Sequence, residues 1–136
     1  MADRITKQRR SWNMSRIRGV NTKPELLVRS LLHGMGFRYR LHVRALPGCP
    51  DIVLPRWKSA VLVHGCFWHR HHGCRLAYTP KSRKAFWTKK FQGNVNRDKK
   101  ASTLLRRLGW RVFVVWECEL QNRERLARRL RRGITK

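Results

Sequence analysis

Acidic side chains are scarce in this sequence. Seven Asp and Glu stand against 33 Lys and Arg in 136 residues, a formal net charge of +26. That much like charge opposes compaction, and a polyanion relieves it. Nucleic acid is the usual one. Long hydrophobic runs are missing too. No apolar stretch approaches the roughly 20 residues of a membrane span, and no secretory h-region opens the chain. No basic amphipathic helix stands apart from the core, which disfavours an anionic membrane as the partner. Repeats and low-complexity linkers are absent. The expectation is a cytoplasmic, DNA-associated protein: a basic N-terminal arm over residues 1–20, poorly ordered without its partner, and one domain over residues 21–136.

With so few acids, each one is informative. They are Asp3, Glu25, Asp51, Asp98, Glu117, Glu119 and Glu124. An acid kept in so basic a chain either pairs a neighbouring cation or holds a metal ion. The four cysteines are Cys49, Cys66, Cys74 and Cys118. Two of them alternate with histidines, so zinc is a better account than disulfides.

Along the chain, Asn21 or Thr22 can cap a helix whose first turn holds Pro24 and Glu25. Leu26, Leu27, Leu31 and Leu32 predict its inward face, and Gly34 and Gly36 its end. Phe37, Tyr39 and Leu41 alternate as in a strand. Residues 51–54 and 60–63 predict a hairpin with Asp51 near one end. A helix is expected within residues 81–107, with a break at Gly93-Asn94. A strand over residues 110–116 and a basic helix over residues 121–132 follow. Helix, three strands, helix, strand, helix is the order of an α/β domain with a mixed central sheet flanked by helices.

The segment His64-Gly65-Cys66-Phe67-Trp68-His69-Arg70-His71-His72-Gly73-Cys74 concentrates the chemistry. Cys66, His71, Cys74 and Cys118 can fill a tetrahedral zinc shell, with His72 the rival imidazole. A shell filled by protein ligands is structural, since no position is left for water. Asp51 offers a hard oxygen suited to Mg²⁺. His64 and His69 can move protons near neutral pH. In a nucleic-acid binder this combination points to phosphodiester hydrolysis.

These motifs resemble the very-short-patch-repair (Vsr) DNA mismatch endonucleases. The match runs through Asn13-Met14-Ser15-Arg16-Ile17, Pro50-Asp51, the segment from His64 to Cys74, Asn94-Val95-Asn96-Arg97-Asp98, Leu108-Gly109-Trp110-Arg111-Val112 and Val115-Trp116-Glu117-Cys118. The resemblance implies a restriction-endonuclease-like fold with catalytic Mg²⁺ and structural Zn²⁺. It implies nicking of one strand of duplex DNA 5′ to the thymine of a T:G mismatch, which begins repair of deaminated 5-methylcytosine. By resemblance, Asp51 and the carbonyl of Val63 hold Mg²⁺, and Glu25 holds metal-bound water. His64 is a further catalytic residue, His69 the general base, and Asp98 its orienting acid. Phe67, Trp68 and Trp87 resemble aromatics that wedge into DNA beside the mismatch, and Met14 a side chain entering from the other groove. Unstacking at a weakened base pair gives such wedges a physical basis.

Two other readings compete: a restriction-type or nicking endonuclease of the same fold without mismatch preference, and a non-catalytic zinc-containing nucleic-acid-binding module. A monomer is expected, since no dimer helix is evident. Flanking sequence preference and downstream repair partners are not legible.

Overall fold

The computed structural model describes residues 22–136. The expected basic arm, its Met14, and the capping candidate Asn21 lie outside the described residues. Helix α1 spans Lys23–Gly34. Thr22 caps it, its Oγ1 accepting from the Glu25 main-chain N–H at 3.4 Å. Pro24 sits in the first turn, where a missing N–H costs nothing. The inward stripe differs from the leucine pattern. Glu25, Val28 and Leu32 are buried, Leu27 and Leu31 are half-buried, and Leu26 is 48% exposed. At about 100° per residue, Leu26 points some 200° away from Val28. Gly36, at φ +86°, turns the chain out of the helix.

Strand β1 covers only Arg40–Leu41, shorter than the Phe37–Leu41 alternation predicts. It pairs with β2, Ile52–Leu54, through Arg40 with Val53 and Leu41 with Ile52, and left-handed His42 follows. Phe37 is nevertheless buried and Tyr39 packs against the core. A 3-10 turn at Pro55–Trp57 and left-handed Lys58 lead into β3, Ser59–His64. The β2–β3 hairpin is antiparallel, as expected. Helix α2, Lys84–Arg107, runs 24 residues without the expected break at Gly93-Asn94. A mid-helix glycine costs only about 1 kcal/mol. Asn94 faces inward and donates to the Trp68 carbonyl at 3.1 Å. Gly109, at φ +88°, reverses the chain into β4, Arg111–Trp116. A 3-10 turn at Glu117–Gln121 precedes α3, Arg123–Ile134.

The sheet order is β1-β2-β3-β4, with β3 and β4 parallel. Parallel neighbours need a long crossover, which α2 supplies. Ile52, Leu54, Val61 and Val115 share one core with Val28 and Leu32 of α1 and Leu126, Leu130 and Ile134 of α3. By strand alternation His64 points to the opposite face, where α2 packs along β4. Cover on both faces explains why β3 reads as a continuous apolar run. Arg111 ties the far end together: its guanidinium donates to the carbonyls of Trp57 at 3.0 Å, Gly133 at 2.8 Å and Ile134 at 2.5 Å. The result is a mixed α/β fold. Among the described residues no helix is long and apolar enough to cross a membrane.

Candidate functional site

Three clusters meet at the end of β3. The first is His64, His69 and Asp98. His64 ends the strand and is 7% exposed. His69 follows in the loop and lies flat on it, ring centroids 4.0 Å apart and planes 2° from parallel. Asp98 comes across from α2, with Oδ2 2.5 Å from His69 Nδ1 and Oδ1 4.0 Å from His64 Nε2. An aspartate on Nδ1 fixes the tautomer and leaves Nε2 of His69 as the basic nitrogen. Burial, and then the neighbouring imidazole, hold His64 down at about 4, so it is neutral at pH 7. His64 Nδ1 is buried without a hydrogen-bond partner.

The second cluster is Glu25, His42 and Asp51. Asp51 immediately precedes β2, and its Oδ2 accepts from the Val63 N–H at 2.8 Å. Burial raises its pKa, the Val63 hydrogen bond opposes that, and the nearby Glu25 carboxylate raises it further. Glu25 reaches in from the first turn of α1 and is 2% exposed. Its Oε1 meets His42 Nε2 at 2.5 Å and Arg29 Nη2 at 2.6 Å. A buried and a half-buried carboxylate within 4.8 Å of each other repel, and a divalent cation relieves both. The hard oxygen donors fit Mg²⁺.

The third cluster is Cys66, His71, Cys74 and Cys118. His71 Nδ1 lies 3.6 Å from Cys66 Sγ and 3.4 Å from Cys118 Sγ. Ordinary zinc–sulfur and zinc–nitrogen bonds at tetrahedral angles place such atoms about 3.6 Å apart, so the donor set fits Zn²⁺. His72 is exposed and outside the cluster. Burial pushes the Cys66 thiol up to about 12 and raises Cys118, whereas the Leu76 main-chain hydrogen bond lowers Cys74. Trp116, ending β4, separates two of the clusters. Its ring stacks on His71 at 4.2 Å and meets His64 edge-on at 5.1 Å.

Beside these lies an aromatic group centred on Phe67. Its ring centroid is 5.1 Å from Trp68, 5.6 Å from Trp87 and 5.1 Å from Phe91. Tyr78, 63% exposed, stacks on it at 4.9 Å. Phe67, Trp68 and Trp87 are half-buried in mutual contact.

Sequence reasoning missed His42, Trp116 and Tyr78 as site neighbours. His42 carries no motif; its one local signal is a left-handed φ of +47°, visible only in three dimensions. Trp116 reads as an ordinary strand aromatic until β3 and β4 pair. Tyr78 is a lone tyrosine in a polar loop.

The family model described as DNA mismatch endonuclease Vsr matches residues 2–76. The type II nicking enzyme V.XorIIP of Xanthomonas oryzae pv. oryzae is 50% identical over 131 residues, 96% of this chain and 96% of that protein. V.NmeAIP, a type II nicking enzyme of Neisseria meningitidis serogroup A, is 47% identical over 135 residues, again 96% of each chain. The DNA mismatch endonuclease Vsr of Escherichia coli K12 is 44% identical over 126 residues, 93% of this chain and 80% of that protein.

Metal analysis of the purified chain is expected to find about one zinc per molecule. Cys66→Ser and His71→Ala should lose the metal and melt earlier, whereas His72→Ala should keep both metal and stability. Retention of zinc by His71→Ala would remove that residue from the shell. His64 predicts a pH dependence. Its folded pKa, about 4, lies below its ordinary 6.5, so the unfolded chain takes up the proton first. Its contribution is fully present above pH 6.5 and is lost as pH falls toward 4. Urea unfolding across that window should show wild type losing on the order of 3 kcal/mol relative to His64→Gln. Parallel curves would rule out a buried neutral imidazole.

Proposed function

The chain belongs to the Vsr family of DNA mismatch endonucleases, and from that premise we propose that it nicks one strand of duplex DNA 5′ to the thymine of a T:G pair, beginning very short patch repair of deaminated 5-methylcytosine. It is a DNA endonuclease, a hydrolase of phosphodiester bonds. The observation that carries the finer reading is the meeting, at the end of one strand, of a His69–Asp98 pair and the Glu25–Asp51 carboxylates.

In this reading His69 Nε2 accepts the proton of the attacking water as its oxygen bonds to phosphorus. The bond from phosphorus to the leaving sugar oxygen then breaks, and that oxygen takes up a proton. Asp98 holds the imidazole and offsets the charge it gains. Neutral His64 provides a flat surface beside His69 without a competing positive charge. Mg²⁺, bound by Asp51 and the Val63 carbonyl with Glu25 alongside, would supply positive charge for the phosphate and acidify water. Cys66, His71, Cys74 and Cys118 would hold Zn²⁺, which would brace the loop that presents Phe67, Trp68 and His69. Phe67, Trp68 and Trp87 unstack the duplex at the mismatch, with Met14 entering from the other groove. The frame is a restriction-endonuclease-like domain over residues 21–136 with a basic arm over residues 1–20, acting as a monomer.

A second reading is a nicking enzyme without mismatch preference; V.XorIIP and V.NmeAIP are named for nicking alone. One assay separates the two. T:G and fully paired duplexes with randomised flanks are incubated with the chain in Mg²⁺, with Asp51→Ala alongside. A nick beside the thymine of the T:G duplex alone, absent in Asp51→Ala, is the expected result. Equal nicking of both duplexes would keep the nuclease and remove the mismatch role. Binding without nicking, unaffected by Mg²⁺, would leave only a binding module.

A further inference from the structure

Positive charge gathers on the last helix, away from the acids at the end of β3. Helix α3 carries six arginines in 12 residues, with Glu124 its one acid and no lysine. Leu126, Leu130 and Ile134 form the buried stripe that attaches it to the sheet. Everything the core needs from this helix lies on that stripe. The outer face is a different matter.

Arg125, Arg128 and Arg132 follow one another at helical spacing on the exposed side, and Lys136 extends the row. With Arg129 they line a shallow depression of about 470 Å³. Arg129 is engaged, bridging to Glu119 at 2.9 Å and donating to the Val114 carbonyl at 3.1 Å. Among the described residues, Arg125, Arg128 and Arg132 form no ion pair. Attraction to the helix C-terminus accounts for arginines in the last turn, but not for Arg125 or Arg128. Like charges three and four apart otherwise oppose the helix. Around the helix end, Arg131 joins Arg38 and Arg56 beside the Trp57 ring in a second depression of about 450 Å³. The basic surface therefore continues past the helix.

No residue of this face belongs to the clusters of the proposed cutting site. α3 packs on the Val61 side of the sheet, whereas His64 points to the side where α2 brings Asp98. Phe67, Trp68 and His69, which would meet the cut duplex, lie in the loop after β3 and not on α3.

We propose that the outer face of α3 holds the phosphate backbone of a second duplex DNA segment while the first occupies the cutting face; this rests on reading the His64 end as a DNA-cutting face. Three features select duplex DNA. The cations of the helix are all guanidinium groups, whose planar forks match phosphate oxygens. The row from Arg125 to Lys136 rises about 16 Å, and duplex DNA carries a negative charge every ~1.7 Å of its axis. No large apolar side chain is exposed on α3 to anchor a protein partner. Such a surface would let one chain bridge two duplexes, or pass from one to the other without dissociating.

The test uses the full chain and the variant Arg125→Gln, Arg128→Gln, Arg132→Gln, since glutamine keeps helix propensity. Each is saturated with a labelled T:G duplex in Ca²⁺ in place of Mg²⁺. A fully paired duplex with a second label is then added at low salt, and energy transfer and mass are read. Wild type should take up the second duplex in a particle containing one chain. The variant should bind it at least tenfold more weakly and melt at the wild-type temperature. It should also nick the T:G duplex in Mg²⁺ within twofold of the wild-type rate. Its second-duplex affinity should lose about 2.7 from the slope against log salt, 0.9 for each contact. One duplex per wild-type chain would overturn the proposal, as would equal capture by the variant, which would leave the face to an acidic protein or to solvent. A wild-type chain that bridges two duplexes but nicks neither would support the second surface and overturn the nuclease reading alone.

Discussion

The parallel pairing of β3 with β4 is the constraint on which the site depends. Its register sets Val63 opposite Val115 and His64 opposite Trp116. Where the strands end, the alignment carries on, and the Cys118 main-chain N–H reaches Cys66 Sγ at 3.4 Å. Glu117 accepts from the Cys66 N–H at 3.3 Å across the same gap. Two residues of slip would separate the thiols. One residue would turn His64 toward the aliphatic core of α1 and α3. The pairing also leaves Trp116 in contact with both His64 and His71, so the histidine–aspartate cluster and the cysteine–histidine cluster share one indole wall.

Electrostatics repeats the same concentration. Of the seven acids, Glu25, Asp51 and Asp98 converge on the site. Glu117 braces Cys66, and Glu119 accepts from the Trp116 N–H at 3.0 Å and pairs with Arg129. Glu124 lies in the first turn of α3, where a helix N-terminus favours an anion. A chain this basic thus keeps its carboxylates almost entirely where they hold the end of β3 and β4 in place. The exposed positions are left positive, which suits a polyanionic substrate. Desolvation then tunes the groups that remain, keeping His64 neutral and making Asp51 costly to ionise without a cation beside it.

Much of this was legible in the sequence because local patterns carry it. The Pro24 helix start, the hairpin after Asp51 and the apolar runs of β3 and β4 are short-range signals. The Cys and His spacing likewise signals a cluster, and in the fold Cys66, His71, Cys74 and Cys118 come together while His72 stays outside. Patterns failed where tertiary contacts decide. Leucines drew attention away from Val28 as the true centre of the α1 stripe. Gly93 signalled a break that packing around Asn94 and Phe91 overrides. β1 keeps only two of the alternating residues in its ladder and ends at left-handed His42, a backbone turn that alternation does not show. His42 could not be found at all, since its contact with Glu25 spans 17 residues and depends on a left-handed turn.

The central claim is that the His69 imidazole, held by Asp98, takes the proton at the end of β3. Chemical rescue tests it most directly. His69→Ala is expected to nick a T:G duplex about 10²–10⁴-fold more slowly than wild type. Free imidazole should restore part of that rate in proportion to its concentration, while leaving wild type and Asp51→Ala unchanged. A His69→Ala chain that nicks at the wild-type rate without imidazole would contradict the account.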